Sequence, residues 1–405
     1  MFEKESFYPS AALNCAITDT SVSFDPQLPL GNKAGTSLSP ESDRLIPPGI
    51  MMLKDGKMRL NFMAPGAQSV TAEVHRKIYT LEKGDDGVWS TVADGGCGGF
   101  CPVVFRVDGA EVLNPMAPIG FGASRPINYA DIPQPEEDFY LCKDVPHGSV
   151  VQEYYYSAAT GTMKSCLVYT PAGYMKETSG EYPVLYLQHG HGENEQCWVH
   201  QGRVNFIMDN LIAAGKAEPC IVVMNNGMVQ KNENGVRVLD QTRIERLLLE
   251  DCIPFIESHY RVRTDKWSRA MAGLSMGSMQ TSIVTMKHPD MFGYAGVFSG
   301  FVGPFNKTNA ENSYIQLLDD REKFTQSFRV FFRACGDEDL VALERFEADR
   351  ALFRRKGACA CRKLDTCRKN CIPVNTSGMS GACACVILLN ICFMNDTFCL
   401  NTDKN

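Results

Sequence analysis

Residues 273–277 read Gly-Leu-Ser-Met-Gly, a pattern suited to nucleophilic chemistry. A serine hydroxyl is a weak nucleophile. It needs a base beside it and hydrogen-bond donors facing the charge that its attack creates. A Gly-x-Ser-x-Gly corner presents the hydroxyl by placing the Ser on a strained turn between a strand and a helix. Glycines at both flanks let strand and helix approach closely, because they carry no side chain to collide. The surroundings agree: Met271 and Ala272 close an apolar strand, and Gln280 to Met286 continue helically until His288-Pro289 stops the run. Ser275 is therefore the expected nucleophile, and the backbone N–H of Met276 is one expected oxyanion donor.

A second donor is expected from Gln188-His189-Gly190-His191-Gly192, a Gly-rich turn after an earlier apolar run. His191 is the first choice, with Gly190 and Gly192 beside it. His189 and His191 invite a metal reading, but no acidic or His partner stands at ligand spacing, so no metal or other cofactor is expected. The acid should follow a later strand. Phe328 to Cys335 is such a run, and Gly336-Asp337-Glu338-Asp339 comes after it. Asp339 is the first choice and Asp337 the second; a solvated acidic turn capping the next helix explains the same residues equally well. The base should come last, in the order Ser, Asp, His. The seven His are His75, His147, His189, His191, His200, His259 and His288, and none follows Asp339.

The elements that must position these groups form an alternating series. Cys166 to Tyr169, Pro183 to His189, Cys220 to Met224, Tyr294 to Phe298 and Phe328 to Cys335 are strand-like. Val204 to Ala214, Arg243 to His259 and Leu340 to Arg355 are helical. Such alternation implies an α/β domain with a mostly parallel sheet. Upstream the pattern differs. Met58, Leu60 and Phe62 alternate with polar residues, as do Val70, Ala72 and Val74, and turn signals such as Asp55-Gly56 and Asp108-Gly109 separate the runs. That is the signature of a small all-β sandwich. The expected division is a polar lead-in at 1–45, a sandwich at 46–135, an α/β domain at 136–357 and a Cys-rich tail at 358–405.

Taken together these motifs resemble carbohydrate esterase family one, the esterase-D-like group that includes feruloyl and acetylxylan esterases and has siderophore esterases as relatives. The carrying residues are Leu167-Val168-Tyr169-Thr170-Pro171, Tyr186 to Gly192 with Trp198, Gly273 to Gly277 and Cys335 to Asp339. The resemblance implies an α/β-hydrolase fold and favours Asp339 over Asp337 as the triad acid. It also implies a closing Gly-x-His-x-Trp segment carrying the base, which this chain lacks. Residues 55–133 resemble the immunoglobulin-like early-set module, similar to glycogen-binding modules, on Ala64-Pro65-Gly66-Ala67, Asp86-Gly87-Val88-Trp89, Phe105 to Gly109 and Asn114-Pro115. Trp89 is read as core rather than as a sugar platform.

The tail stands apart. Of the 17 Cys, eight lie in the last 47 residues, with no Cys-x-x-Cys pair and no His. We read residues 358–405 as translated out of frame. A permitted codon set for Asn375 to Ala382, shifted by two bases, encodes His-Glu-Trp-Asn-Val-Trp-Arg, and the continuation encodes an amphipathic closing helix. The net charge of -7 argues against nucleic-acid or anionic-membrane partners. Met1 to Thr20 lacks a basic start followed by an apolar run, and no apolar stretch reaches membrane-spanning length, so the cytoplasm is the expected location. The expected activity is a serine carboxylester hydrolase acting on an acylated carbohydrate or related small ester. The alternative is an inactive, glycan-binding relative that keeps the shape.

Overall fold

The alternation read between Met58 and Val74 builds two antiparallel sheets that bury their apolar faces on each other. The computed structural model describes residues 47–356, apart from 54, 96–98, 133–137, 241–242, 301, 303–311, 337–338 and 340–341. The proline-rich junction at 133–137, Asp337 and the tail at 358–405 lie outside the described residues. One sandwich sheet runs Ile50–Met52, Met58–Met63, Val88–Ala93, Glu82–Lys83. The other runs Lys77–Thr80, Val70–Val74, Gly99–Val107, Arg125–Ile132, Ile119–Gly122, with Ala110–Val112 on its third strand. Met58 and Leu60 from one sheet meet Val70, Ala72 and Phe105 from the other. Trp89 joins this core, and its indole N–H donates to Ala64 O at 2.8 Å.

The second unit is a seven-stranded sheet, whose strands are β1 (Ser149–Ser157), β2 (Thr162–Thr170), β3 (Val184–Gln188), β4 (Ile221–Asn225), β5 (Arg269–Leu274), β6 (Tyr294–Phe298) and β7 (Val330–Ala334). Their spatial order is β1-β2-β4-β3-β5-β6-β7. The β4, β3, β5, β6 and β7 pairings are parallel, whereas β1 and β2 form an antiparallel hairpin against β4. A strand covered on both faces must be apolar throughout, and β3, β4, β5 and β6 are buried at every residue.

Helices cover both faces. Helix α1 (Val204–Ala213) packs Val204, Ile207 and Met208 against Leu185, Leu187 and Val222. The opposite face, with Val184, Tyr186 and Val223, takes the helical run α2 (Ile244–His259). The expected uninterrupted helix at Arg243 to His259 is instead α-helical to Arg246, π-helical over Leu247–Cys252 and α-helical again over Ile253–His259. The π turn keeps Leu247, Leu248, Cys252 and Ile256 buried together. Helix α3 (Met276–Lys287) follows β5, and helix α4 (Leu343–Arg355) begins three residues later than the expected Leu340. Among the described residues no helix is long and apolar enough to cross a membrane.

The two units are joined through buried contacts. Arg203, at the start of α1, pairs with Asp131 of the sandwich and lies 5.1 Å over the Tyr140 ring. Burial pulls its guanidinium down to about 10. Two buried charges taken from water persist only when paired in this way.

Candidate active site

Strand β5 ends at Leu274, helix α3 starts at Met276, and Ser275 alone makes the turn between them. Its φ of 52° and ψ of -110° lie in a region that L-residues avoid. The site tolerates this because its neighbours hold it: Ser275 N–H donates to Phe298 O of β6 at 2.9 Å, and Ser278 Oγ donates to Ser275 O at 2.6 Å. The side chain is left exposed amid buried neighbours. The two flanking glycines are required by space. A Cβ on Gly273 would lie 2.4 Å from Gly277 C, and one on Gly277 would lie 2.6 Å from Gln188 O. The corner is therefore packed backbone to backbone, with Ser275 at the N-terminus of a 12-residue helix whose dipole favours negative charge there.

The Gly-rich turn after β3 lies beside it: a Cβ on Gly190 would be 3.7 Å from Ser275 Cβ. Here the expectation needs correcting at one residue. The Gly190 N–H does not face a substrate; it donates to Glu193 Oε2 at 2.8 Å, while Glu193 N–H donates back to Gly190 O at 3.2 Å. This reciprocal i, i+3 closure leaves Met276, His191 and Gly192 as the candidate donors. Gly192, at φ 77°, turns the chain so that its carbonyl accepts from Ser124 N at 2.8 Å in the sandwich. Burial raises the Glu193 carboxyl to about 7, against the Gly190 N–H, which favours the ionised form.

His189 has no catalytic freedom. It is buried, its Nδ1 pairs with Gly190 O at 2.8 Å, and its Nε2 accepts from Gly227 N at 3.0 Å. That pattern fixes the neutral Nδ1–H tautomer, and burial lowers its pKa to about 4. His147 pairs with Asp209 and His288 with Glu245. Among the described residues no cluster of three or more His, Cys, Asp or Glu is arranged to hold a metal.

Asp339 follows β7, so it stands on the same carboxyl edge of the sheet as Ser275, with only β6 between their strands. It is buried rather than lying on a solvated turn, and one carboxylate oxygen accepts from Ala342 N at 3.0 Å. It thus caps the approach to α4 while lying at the edge where open α/β sheets bind ligands. Glu193 was the residue that sequence reasoning missed. Its spacing from Gly190 is the capping-box spacing, but it lies in a loop where no helix pattern draws the eye.

Fold and corner together define an α/β-hydrolase with a serine elbow. The Esterase family model matches residues 157–363, and the chain belongs to that family. The chain is 37% identical over 298 residues to an endo-1,4-beta-xylanase/feruloyl esterase of Xylanibacter ruminicola, a match that spans 71% of this chain and 39% of that relative. Among solved structures it is similar to a ferulic acid esterase of Anaeromyces mucronatus, with TM-score 0.51, 21% identity, and 64% of this chain and 95% of that one covered. It is also similar to the enterobactin esterase of Shigella flexneri, with TM-score 0.60, 12% identity, and 84% and 95% covered. At these identities the two structures speak for the fold.

Proposed function

We propose that this chain is the scaffold of a serine carboxylester hydrolase that removes a feruloyl- or acetyl-type acyl group from a carbohydrate. The observation that carries the proposal is Ser275, exposed at φ 52° between a buried strand and a helix N-terminus. Ser275 Oγ attacks the ester carbonyl carbon and passes its proton to a His base. The resulting oxyanion takes hydrogen bonds from the N–H groups of Met276 and His191. Collapse breaks the ester C–O bond, and the base returns the proton to the departing sugar oxygen. Water then cleaves the acyl-enzyme by the same route, and Asp339 orients the base throughout. Each oxyanion donor is worth roughly a hundred- to a thousandfold in rate. The similarity to a xylanase/feruloyl esterase supports the acyl class.

The base is the weak point of the chain as written, because no His follows Asp339. We infer that the shifted frame restores it across the codons of Asn375 and Thr376. The same observation favours the second reading, a non-catalytic glycan-binding relative, since loss of one triad member costs up to about a millionfold. Methyl ferulate and p-nitrophenyl acetate turnover by the wild type and Ser275→Ala tests the mechanism. Turnover abolished by the substitution supports it, and equal rates remove Ser275. A fluorophosphonate probe that leaves Ser275 unlabelled in folded protein supports the second reading.

A further inference from the structure

A backbone N–H stabilises an oxyanion only where its peptide plane is held, because it must be aimed before the charge appears. The stretch that carries His191 has little means of holding itself. A glycine stands on either side of it, and glycine has the widest choice of φ and ψ. The bonds around Gly190 supply what the sequence lacks. The peptide unit that carries the His191 N–H also carries the Gly190 carbonyl, and in a trans unit the two point in opposite directions. That carbonyl accepts from Glu193 N at 3.2 Å and from His189 Nδ1 at 2.8 Å. The His191 N–H is thereby aimed away from both.

The preceding peptide unit carries the Gly190 N–H, which donates to Glu193 Oε2 at 2.8 Å. Glu193 therefore holds the planes on both sides of Gly190, one through its carboxyl and the other through its own N–H. The far side of His191 is held separately: Gly192 O accepts from Ser124 N at 2.8 Å, and a Cβ on Gly192 would lie 2.9 Å from that nitrogen. The clamped turn lies against the nucleophile, since a Cβ on Gly190 would be 3.2 Å from Glu193 Oε2 and 3.7 Å from Ser275 Cβ. A carboxyl is a costly group with which to close a buried turn. Burial of Glu193 works against its ionised form, the stronger acceptor. Local costs of this kind persist where function holds them.

We propose that Glu193 is a positioning residue of the ester hydrolysis: by holding Gly190 it aims the His191 N–H at the oxyanion formed when Ser275 attacks. The proposal rests on the reading of Ser275 given above. Glu193 acts through the loop and exchanges no proton with the substrate. Without its carboxyl the plane before Gly190 is free to turn. A misaimed donor loses transition-state stabilisation and leaves ground-state binding as it was. Glutamine keeps an acceptor oxygen at nearly the same reach, so it keeps the donor aimed.

The test compares Glu193→Ala with Glu193→Gln. Methyl ferulate turnover is read in the full chain with residues 358–405 in the shifted frame. Glu193→Ala should lower kcat by roughly tenfold to a hundredfold at unchanged KM, and Glu193→Gln should recover most of that loss. Hydrogen exchange at the residue-193 amide reports the clamp without turnover: it should quicken in Glu193→Ala and stay slow in Glu193→Gln. Unchanged kcat or unchanged exchange in Glu193→Ala, a loss carried wholly by KM, or a Glu193→Gln as slow in turnover as Glu193→Ala overturns the proposal. Ser275→Ala separates the two ideas. Turnover that Ser275→Ala abolishes and Glu193→Ala leaves untouched keeps the hydrolase and removes the positioning role. Turnover that survives Ser275→Ala, or none in any form, removes the reading of Ser275 and the positioning role with it.

Discussion

Gly273→Ala should break the elbow by overpacking it. The new Cβ would sit 2.4 Å from both the carbonyl carbon and oxygen of Gly277 and 2.8 Å from its Cα. Carbon–carbon contact becomes favourable only near 3.5 Å, so strand and helix must part by about 1 Å. Neither can yield cheaply: Gly277 is itself pressed on Gln188 of β3, and β5 is bonded on both sides. Overpacking against side chains costs about 1–3 kcal/mol, and against backbone the upper end or beyond is expected. The control is Gly66→Ala, where a Cβ meets nothing within 4 Å, and the cost should stay within about 0.5 kcal/mol. The assay is urea unfolding followed by Trp198 and Trp267 fluorescence in a Trp89→Phe background, reading the midpoint at unchanged slope. Gly273→Ala should lower that midpoint far more than Gly66→Ala does. Equal midpoints would refute the claim that the corner is closed backbone to backbone.

Three further outcomes follow from the site. His189 is held near 4 against an ordinary 6.5, so its contribution is present above pH 6.5 and is lost as pH falls towards 4; Glu193 is held near 7 against 4.5, so its contribution is lost as pH rises from 4.5 to 7. These slopes oppose each other, each worth up to about 3 kcal/mol: Glu193→Gln should leave stability rising from pH 4 to 6.5, His189→Gln should leave it falling from pH 4.5 to 7, and unchanged denaturation midpoints across pH in both would count against the burial argument. Ser275→Gly should stabilise the fold by about 1 kcal/mol, because glycine adopts φ 52° without strain; a loss of stability in thermal melts would show that the serine is not strained. Asp131→Ala should cost about 3–5 kcal/mol by stranding buried Arg203, and Asp131→Ala with Arg203→Met should recover most of it; a double variant as unstable as the single one in urea melts would argue that the pair is not what joins the units.

Local signals were the legible ones. The Gly-x-Ser-x-Gly corner is specified by five adjacent residues, and β6 begins and ends at Tyr294 and Phe298, where its apolar run begins and ends. Strand β1 left no such trace. It is an edge strand exposed along most of its length; alternation is confined to its end, where Tyr154 and Tyr156 lie on the surface and Tyr155 and Ser157 are buried, and three consecutive Tyr hide that alternation from a reading of polarity. The π turn in α2 was invisible because a shift of hydrogen-bond pairing leaves an amphipathic pattern nearly unchanged. The closure of Gly190 by Glu193 and the bond from Ser124 to Gly192 depend on the folded backbone. Ser124 and Gly192 are far apart in the chain, and nothing in either stretch names the other. The capping role of Asp339 and its place at the carboxyl edge of the sheet could not be separated in sequence because the residue does both things: it accepts from Ala342 N and stands beyond β7.

The central claim is that Ser275 is a nucleophile completed by a base from a shifted reading frame. Its most direct test is methyl ferulate turnover by the chain with residues 358–405 restored to that frame, compared with the same chain carrying Ser275→Ala. Turnover by the restored chain, reduced by roughly 10³-fold or more in Ser275→Ala, is the expected result. A restored chain that hydrolyses the ester equally well without Ser275, or does not hydrolyse it at all, contradicts the claim.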